Sequence, residues 1–414
     1  MDTLQRRLGL GDAVVLGLGS MLGAGVFVAF SPAAAAAGGA LLWALGLAGG
    51  IAYCNAMSSA RLASRYPESG GTYVYGRERL GPAWGFAAGW AFVAGKTASA
   101  AAMALTVGTY VWPAAAVPLA VLTVAVLTAL NYRGVHKSAL ATRVIVAAVL
   151  AVLALFTTAC LLAPPAAAQT LATEEPVHGL AGVLAGAGFL FFAFAGYARV
   201  ATLGEEVREP AQTIPRAIAL SLLVTLVVYG VVAATLLHAL GAEWLGGRAS
   251  PLADAVEISG WSWSAPIVRI GAAIAATGSL LALVLGISRT VLAMSRDGFL
   301  HHSLSAVHPA YGVPHRAEVA VGLVVGAIVT VADLRQAIGF SSFCVLVYYG
   351  IANASAWTLG GSPARVTAAL GLVGCALVAA MLPLPSVLAG LGVLAMGGVV
   401  WLVAHLARNS SRPG

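Results

Sequence analysis

The amino-acid sequence predicts an all-α protein that crosses a membrane many times. The chain of 414 residues is 60% hydrophobic and only 9% charged, whereas soluble domains carry roughly a quarter charged residues. Apolar stretches of about 20 residues, the length that spans a bilayer as a helix, recur along the chain. Glycines interrupt two of these stretches, half a chain apart. The bilayer is therefore the expected solvent for most of the chain.

About twelve spans of this kind can be placed along the chain. They cover residues 13–31, 39–60, 82–112, 116–132, 140–162, 179–200, 216–240, 263–293, 317–332, 334–358, 364–382 and 385–407. Glycines break the first and the sixth span. If each broken span begins a repeat, the second repeat starts five spans after the first. Because five is odd, the second repeat is expected to run inverted in the membrane. We therefore expect a first five-helix repeat over 1–162, an inverted one over 179–358, and two accessory helices over 364–407.

The basic residues predict the orientation. Most of the 22 Lys and Arg residues fall on the side of the predicted spans that carries the amino terminus. By the positive-inside rule, both termini are then cytoplasmic and the chain is a multi-pass protein of the cytoplasmic membrane. The net charge of +7 suits anionic lipid head groups, and no contact with nucleic acid is predicted.

No enzyme chemistry is predicted. The four cysteines, Cys54, Cys160, Cys344 and Cys375, all fall within predicted spans, which indicates small core residues and not a disulfide or metal framework. The sequence has no phosphate-binding Gly-Lys motif, no zincin motif and no Gly-x-Ser-x-Gly elbow. We expect no cofactor and no bound metal.

The first broken span reads Gly-Leu-Gly-Ser-Met-Leu-Gly-Ala-Gly-Val-Phe over residues 17–27. Gly23, Ala24 and Gly25 place small residues where a second half-helix begins. Bare N–H groups and the positive end of a helix dipole then point to one spot, which suits a carboxylate. The alternative is that Gly-Ala-Gly only permits close helix packing.

The second break, over residues 186–197, supplies the complementary charge. Carbonyl groups in the first span and near the sixth-span break carry the partial negative charge of helix carboxyl ends, so they would accept hydrogen bonds from an ammonium group. Phe192 and Phe194 could close over a bound solute, although ordinary core packing also explains each ring. The candidate substrate site is formed by Gly19, Ser20, Met21, Gly23, Ala24, Gly25, Phe192, Phe194, Ala195 and Gly196.

Three segments together resemble the amino acid-polyamine-organocation superfamily of secondary transporters, and the resemblance covers nearly the whole chain. The segments are Leu-Gly-Ala-Gly-Val-Phe at 22–27, Phe-Ala-Phe-Ala-Gly-Tyr at 192–197 with Gly-Glu-Glu-Val-Arg-Glu-Pro at 204–210, and Ser-Arg at 288–289 with Ser-Arg-Asp-Gly-Phe-Leu at 295–300. The resemblance implies a leucine-transporter-like fold that carries an amino acid by alternating access, as a symporter or an exchanger. Many members have an acidic residue just after the Gly-aromatic pair, but Ala198 and Arg199 stand here.

The acidic residues bear on the substrate. None of them lies at the middle of a predicted span. A diamine or polyamine would need a buried carboxylate as partner, so a zwitterionic amino acid is the expected substrate. An exporter or a polyamine or diamine carrier is the second hypothesis. A sensor or channel-like protein of the same fold, which does not carry substrate stoichiometrically, is the third.

Lys96 is the candidate coupling residue. It lies about fourteen residues into the third span, roughly 21 Å along the helix and near the midplane. An amine at that depth is costly, so it is expected to serve as a proton carrier or as the counter-ion of a bound carboxylate. The alternative is a lysine that snorkels to the interface.

Other charged residues could form gates. Arg199 begins the second half of the sixth span and shares a helical face with Glu206, which favours a gating or structural ion pair. Arg289, Arg296, Asp297 and Glu205 could form a network at the cytoplasmic mouth, although surface ion pairs are the ordinary explanation. Thr277 and Ser279 lie where sodium-coupled relatives place a ligating pair, so sodium is a weaker alternative to the proton as coupling ion.

Overall fold

The computed structural model describes residues 9–66, 70–134, 139–163, 179–197, 200 and 207–410, and its regular structure in these residues is helical. The α-helices, in chain order, are α1 Leu10–Met21, α2 Gly25–Val28, α3 Phe30–Ala37, α4 Leu41–Arg65, α5 Thr72–Leu80, α6 Pro82–Val111, α7 Ala116–Tyr132, α8 Ala139–Leu161, α9 Gly179–Phe194, α10 Pro210–Leu240, α11 Ala242–Gly246, α12 Pro251–Ile258, α13 Ala265–Arg296, α14 His315–Val331, α15 Leu334–Trp357, α16 Ser362–Met381 and α17 Leu384–Ser410.

Ten stretches of the described chain are long and apolar enough to cross a membrane. The prediction of a polytopic all-α membrane protein is therefore confirmed. Two further predicted spans correspond to α9, with 16 residues, and α14, with 17 residues, which are not among these ten stretches. The exact number of twelve and the inverted repeat remain predictions.

The first span is broken and is followed by a further helix. α1 ends at Met21 and α2 begins at Gly25, so three residues interrupt the helix. The first candidate membrane span covers Leu10–Val28, and α3 continues the helical chain to Ala37. Pro32 lies within the first turn of α3, where a missing N–H breaks no helical bond, and the alanines after it favour helix. Gly38 ends the helix with a φ of +57°.

The packing places the third span at the centre of the bundle. α6 packs against α7, α13 and α15, while α9 packs against α3 and α4. α1 packs against α8 and α10. Large apolar side chains such as Trp43, Leu323 and Val331 are 71% to 83% exposed on the outside of the bundle, as expected of faces that meet lipid. The two breaks thus lie inside a helical bundle with an apolar surface.

Candidate functional site

The two glycine-broken segments are in direct contact. A Cβ atom placed on Gly25 would lie 2.6 Å from the Cα atom of Ala193, and one placed on Gly196 would overlap the carbonyl group of Ser20. Only glycine allows backbone to approach backbone this closely. The breaks of the first and sixth spans therefore lie side by side, with their backbones in contact.

Residues 23–25 contact three different spans. A Cβ atom on Gly23 would overlap the Ser279 hydroxyl of α13. The Ala24 side chain packs with Val107 of α6 and Ala276 of α13. The first break therefore lies at the junction of α6, α9 and α13. Close packing accounts for Gly23 and Gly25, and binding of a carboxylate remains a prediction.

The first break leaves backbone donors available. The N–H of Gly23 donates to the Met21 carbonyl at 2.8 Å, and that of Phe27 donates to the Ala24 carbonyl at 3.0 Å. Between them, the amides of Ala24 and Gly25 donate to no backbone carbonyl of the described residues. Two buried N–H groups thus lie at the start of the second half-helix, which is the arrangement that an anion favours.

Tyr229 joins the two breaks. Its Oη atom lies 2.6 Å from the Met21 carbonyl oxygen in the first span and 3.1 Å from the Ala193 carbonyl oxygen in the sixth. The side chain is fully buried on α10. We did not single out this residue from the sequence. The available signal was one hydroxyl-bearing ring in an otherwise apolar stretch, a position where a polar group needs a partner.

Lys96 reaches the second break. Its Nζ atom donates to the Ala195 carbonyl oxygen at 3.3 Å, and the Tyr349 hydroxyl lies 3.5 Å from the same oxygen. Ala195 is the first residue after α9, so its carbonyl belongs to the interrupted helical end. None of the ion pairs in the described part of the chain includes Lys96. An amine thus lies beside the carbonyl that the sequence assigned to the ammonium of a substrate.

The two candidate gating phenylalanines differ in their surroundings. Phe194 is fully buried, and its ring meets that of Tyr229 edge-on with centroids 5.1 Å apart. Phe192 is 8% exposed. Core packing accounts for Phe194, and Phe192 is the better candidate for a ring that moves.

The remaining first-span residues also have defined neighbours. A Cβ atom on Gly19 would lie 2.5 Å from the Thr142 methyl group of α8. The Ser20 hydroxyl donates to the Leu16 carbonyl at 2.9 Å. The Met21 side chain is 1% exposed, so only its carbonyl faces the break. Gly19 and Ser20 therefore serve helix packing in this conformation.

The predicted inner gate has different partners. Arg199, Glu205 and Glu206 lie outside the described residues. Arg289 and Arg296 are exposed. The Asp297 carboxylate contacts Arg77 Nη1 at 3.3 Å, a partner that the sequence did not suggest, and the predicted network with Arg289, Arg296 and Glu205 remains a prediction.

The tyrosine one turn before Arg77 completes this contact. Tyr73 Oη donates to the same carboxylate oxygen of Asp297. Both residues come from α5, the helix between the second and third spans, and Asp297 follows the last residue of α13. Their sequence separation of more than 200 residues concealed the contact. The network ties α5 to one end of α13.

A second network lies at the opposite end of the bundle. Tyr110 Oη, at the end of α6, donates to the Phe27 carbonyl at 2.7 Å. Arg269 donates to the Tyr110 carbonyl at 3.4 Å and to the Glu257 carboxylate at 3.1 Å. These contacts connect α2 to α6, and α6 through Arg269 of α13 to α12. Polar contacts therefore join helices on both sides of the two breaks.

The candidate sodium pair is divided. Ser279 is buried against Gly23, whereas Thr277, separated from it by Gly278, is partly buried. The described residues contain no group of three or more His, Cys, Asp or Glu side chains that could hold a metal. A monovalent ion site at Thr277 and Ser279 remains a prediction.

A separate groove of about 740 Å³ lies between α7 and α14, lined mainly by apolar side chains such as Val124 and Leu323. None of its lining residues belongs to either break. Its composition suits lipid chains and not a zwitterion.

The fold and the contact between two broken spans define the class as a multi-pass membrane protein of the transporter type. Residues 12–361 match the model of the amino acid permease family. The chain belongs to this family, within the amino acid-polyamine-organocation superfamily, and is an amino acid transporter and not an enzyme.

Three relatives illustrate the range of the family. An uncharacterized transporter of Mycobacterium tuberculosis is 58% identical, with 99% of this chain and 94% of that protein covered. The branched-chain amino acid permease BcaP of Bacillus subtilis is 28% identical over 84% of this chain and 80% of its own length. The human cationic amino acid transporter 4 is also 28% identical, over 84% of this chain and 59% of its own length.

Proposed function

We propose that this protein is a secondary active transporter of a zwitterionic amino acid. It works by alternating access in the cytoplasmic membrane, with both termini in the cytoplasm, as a proton symporter or an exchanger. The observation that supports this most strongly is the meeting of the two broken spans, where free amides and helix-end carbonyls lie together. Such an arrangement offers both charges of a zwitterion a partner.

The substrate carboxylate is assigned to the amides of Ala24 and Gly25, which donate to no backbone carbonyl of the described residues. The substrate ammonium is assigned to the carbonyls at the second break. Lys96 already donates to the Ala195 carbonyl there. A substrate ammonium and the Lys96 ammonium would repel each other at this oxygen. A substrate ammonium at this oxygen therefore favours release of the lysine proton, which corresponds to exchange. A substrate carboxylate next to Lys96 would instead favour retention of the proton, which corresponds to symport.

The surroundings favour an apolar side chain on the substrate. Ala24, Val107 and Ala276 form an apolar cluster beside the first break. A cationic side chain would lie in the field of Lys96 without a described ion-pair partner, and an unpaired buried charge is costly. Of the two substrate types named for the relatives, the branched-chain amino acids fit this site better than the cationic ones. A diamine carrier is disfavoured on the same ground.

A thermal-shift screen of the purified protein tests the substrate class. A ligand that binds only the folded state raises the midpoint of unfolding by mass action. We expect an increase with leucine, isoleucine or valine, and none with their decarboxylated amines or with putrescine. An increase with putrescine and none with any zwitterionic amino acid would contradict the proposal. Flux of a labelled ligand into proteoliposomes then distinguishes a carrier from a sensor.

A further inference from the structure

One buried carboxyl group lies apart from the two breaks. Glu318, in the first turn of α14, is fully buried. Its Oε2 atom has no hydrogen-bond partner in the described part of the molecule. A buried carboxylate without partners is strongly unfavourable. The group must therefore either be neutral or have a partner that stabilises its charge.

The one hydrogen-bond partner of this carboxyl group among the described residues bears on its protonation. Ser288 Oγ lies 3.5 Å from Glu318 Oε1, but it also donates to the Leu285 carbonyl at 3.0 Å. A hydroxyl has one proton to donate, and the Leu285 carbonyl is the nearer acceptor. The lone pairs of Ser288 then face the carboxyl group. A neutral carboxylic acid can donate to them, whereas a carboxylate cannot.

The helices around Glu318 bring little compensating charge. α6, α7, α13 and the 3-10 helix His302–Ser305 pack against α14. Arg289, the residue after Ser288 on α13, is exposed to solvent, as is His302. His315, one turn earlier on α14, faces the ring of Tyr132 on α7 with centroids 5.8 Å apart. An ionised Glu318 would thus have only a solvated cation nearby.

The same helices contain further unpaired polar atoms. Thr128 Oγ1 and Asn131 Oδ1 of α7 are buried without a hydrogen-bond partner in the described residues. Thr128 lies against Gly322, one turn beyond Glu318 on α14. Groups of this kind are usually satisfied by internal water. A row of polar groups between α7, α13 and α14 therefore begins at Glu318, two residues after the exposed Arg316, and continues into the bundle.

We propose that Glu318 is a proton-binding site that is loaded in this conformation and empties once in each transport cycle. The proton is held between Glu318 Oε1 and Ser288 Oγ, and it leaves to water at the end of the bundle that carries Arg289 and Arg316. The product is a carboxylate, which Arg289 and water stabilise when α13 and α14 separate. This rests on the transport activity proposed above, but the site is separate from Lys96.

The first test needs no transport. The unfolding midpoints of wild type, Glu318→Gln and the exposed control Glu243→Gln are measured in detergent from pH 5 to pH 9. The native state holds a proton that the unfolded chain releases above about pH 4.3. Stability of the wild type must therefore fall relative to Glu318→Gln as the pH rises. Glu243→Gln should follow the wild type. Parallel curves for wild type and Glu318→Gln would overturn the proposal.

Ser288→Ala is a second variant, in case Glu318→Gln does not fold. It removes the acceptor that holds the proton, so the fall in midpoint should move to lower pH, and an unchanged profile would count against the site.

In proteoliposomes, Glu318→Gln should keep exchange of substrate but lose accumulation driven by a pH gradient. Full accumulation by this variant would overturn the role in the cycle. If the wild type moves no amino acid, the proposed function fails while the unfolding test still decides the proton site.

Discussion

Lys96 Nζ and the Ala195 carbonyl oxygen lie 3.3 Å apart, and this contact joins the middle of the third span to the break of the sixth. The carbonyl is freed because the helix stops at Phe194. An amine that snorkelled to the membrane surface would not reach it. The contact therefore makes the protonation of Lys96 dependent on what else approaches the break.

Substitution of Lys96 separates its two candidate roles. Lys96→Met keeps the length of the side chain but removes the charge and should abolish accumulation driven by a pH gradient. Lys96→Arg keeps the charge but does not release a proton, so it should bind substrate yet fail to couple. Uptake into proteoliposomes with an imposed pH gradient measures both. Equal accumulation by wild type and Lys96→Met would eliminate Lys96 as the coupling site. Uptake driven only by sodium would direct attention to Thr277 and Ser279.

Tyr229→Phe should weaken the junction of the two broken spans. The change removes one hydroxyl and leaves the buried carbonyls of Met21 and Ala193 without that donor. The expected loss is about 1–3 kcal/mol of unfolding free energy, together with slower transport. Tyr53→Phe, at an exposed position on α4, is the matched control. A Tyr229→Phe protein with wild-type midpoint and turnover would show that the hydroxyl does not hold the junction.

The two phenylalanines of the sixth span should respond differently to truncation. Phe194→Ala leaves a cavity against Tyr229 and should cost about 3–5 kcal/mol of stability. Phe192→Ala should cost less stability but impair transport, because its ring is assigned to closure over the substrate. Unfolding midpoints and initial uptake rates are measured side by side. Normal turnover by Phe192→Ala would assign this ring to core packing.

Asp297→Asn should alter the conformational equilibrium more than the stability. The Arg77–Asp297 pair is about one-third exposed on each side. Such pairs contribute at most about 1 kcal/mol. The contact nevertheless ties α5 to the end of α13, so its loss should make that end of the bundle easier to open. Phe86 of α6 is 2% exposed and packs against Phe299, close to Asp297 in sequence. Thiol labelling of Phe86→Cys, measured with and without Asp297→Asn, reports the opening. Unchanged labelling would contradict a gating role.

The sequence was sufficient for the class of fold and for the position of the breaks. Glycines in an apolar span have few explanations, so the sequence alone predicts that Gly25 and Gly196 lie at a buried site. Lys96 was found in the same way, because a lone amine at mid-span is costly.

Other features could not be predicted because they depend on long-range contacts. Tyr229 meets Met21 across 208 residues, and Tyr73 meets Asp297 across 224. Nothing in the local sequence identifies the distant partner of either tyrosine. Glu318 falls at the edge of the predicted span 317–332, where a charged residue is ordinary, and its burial follows from the packing of α13 and α14.

The central claim is that the two breaks form one site for a zwitterionic amino acid. The most direct measurement is counterflow of labelled leucine in proteoliposomes, for wild type, Gly25→Val and the control Gly46→Val. A side chain on Gly25 meets Ala193, whereas one on Gly46 meets open space. We predict counterflow in wild type and Gly46→Val, no counterflow in Gly25→Val, and no competition by leucinamide or isoamylamine. Counterflow by Gly25→Val, or equal competition by the amine that lacks a carboxylate, would contradict the claim.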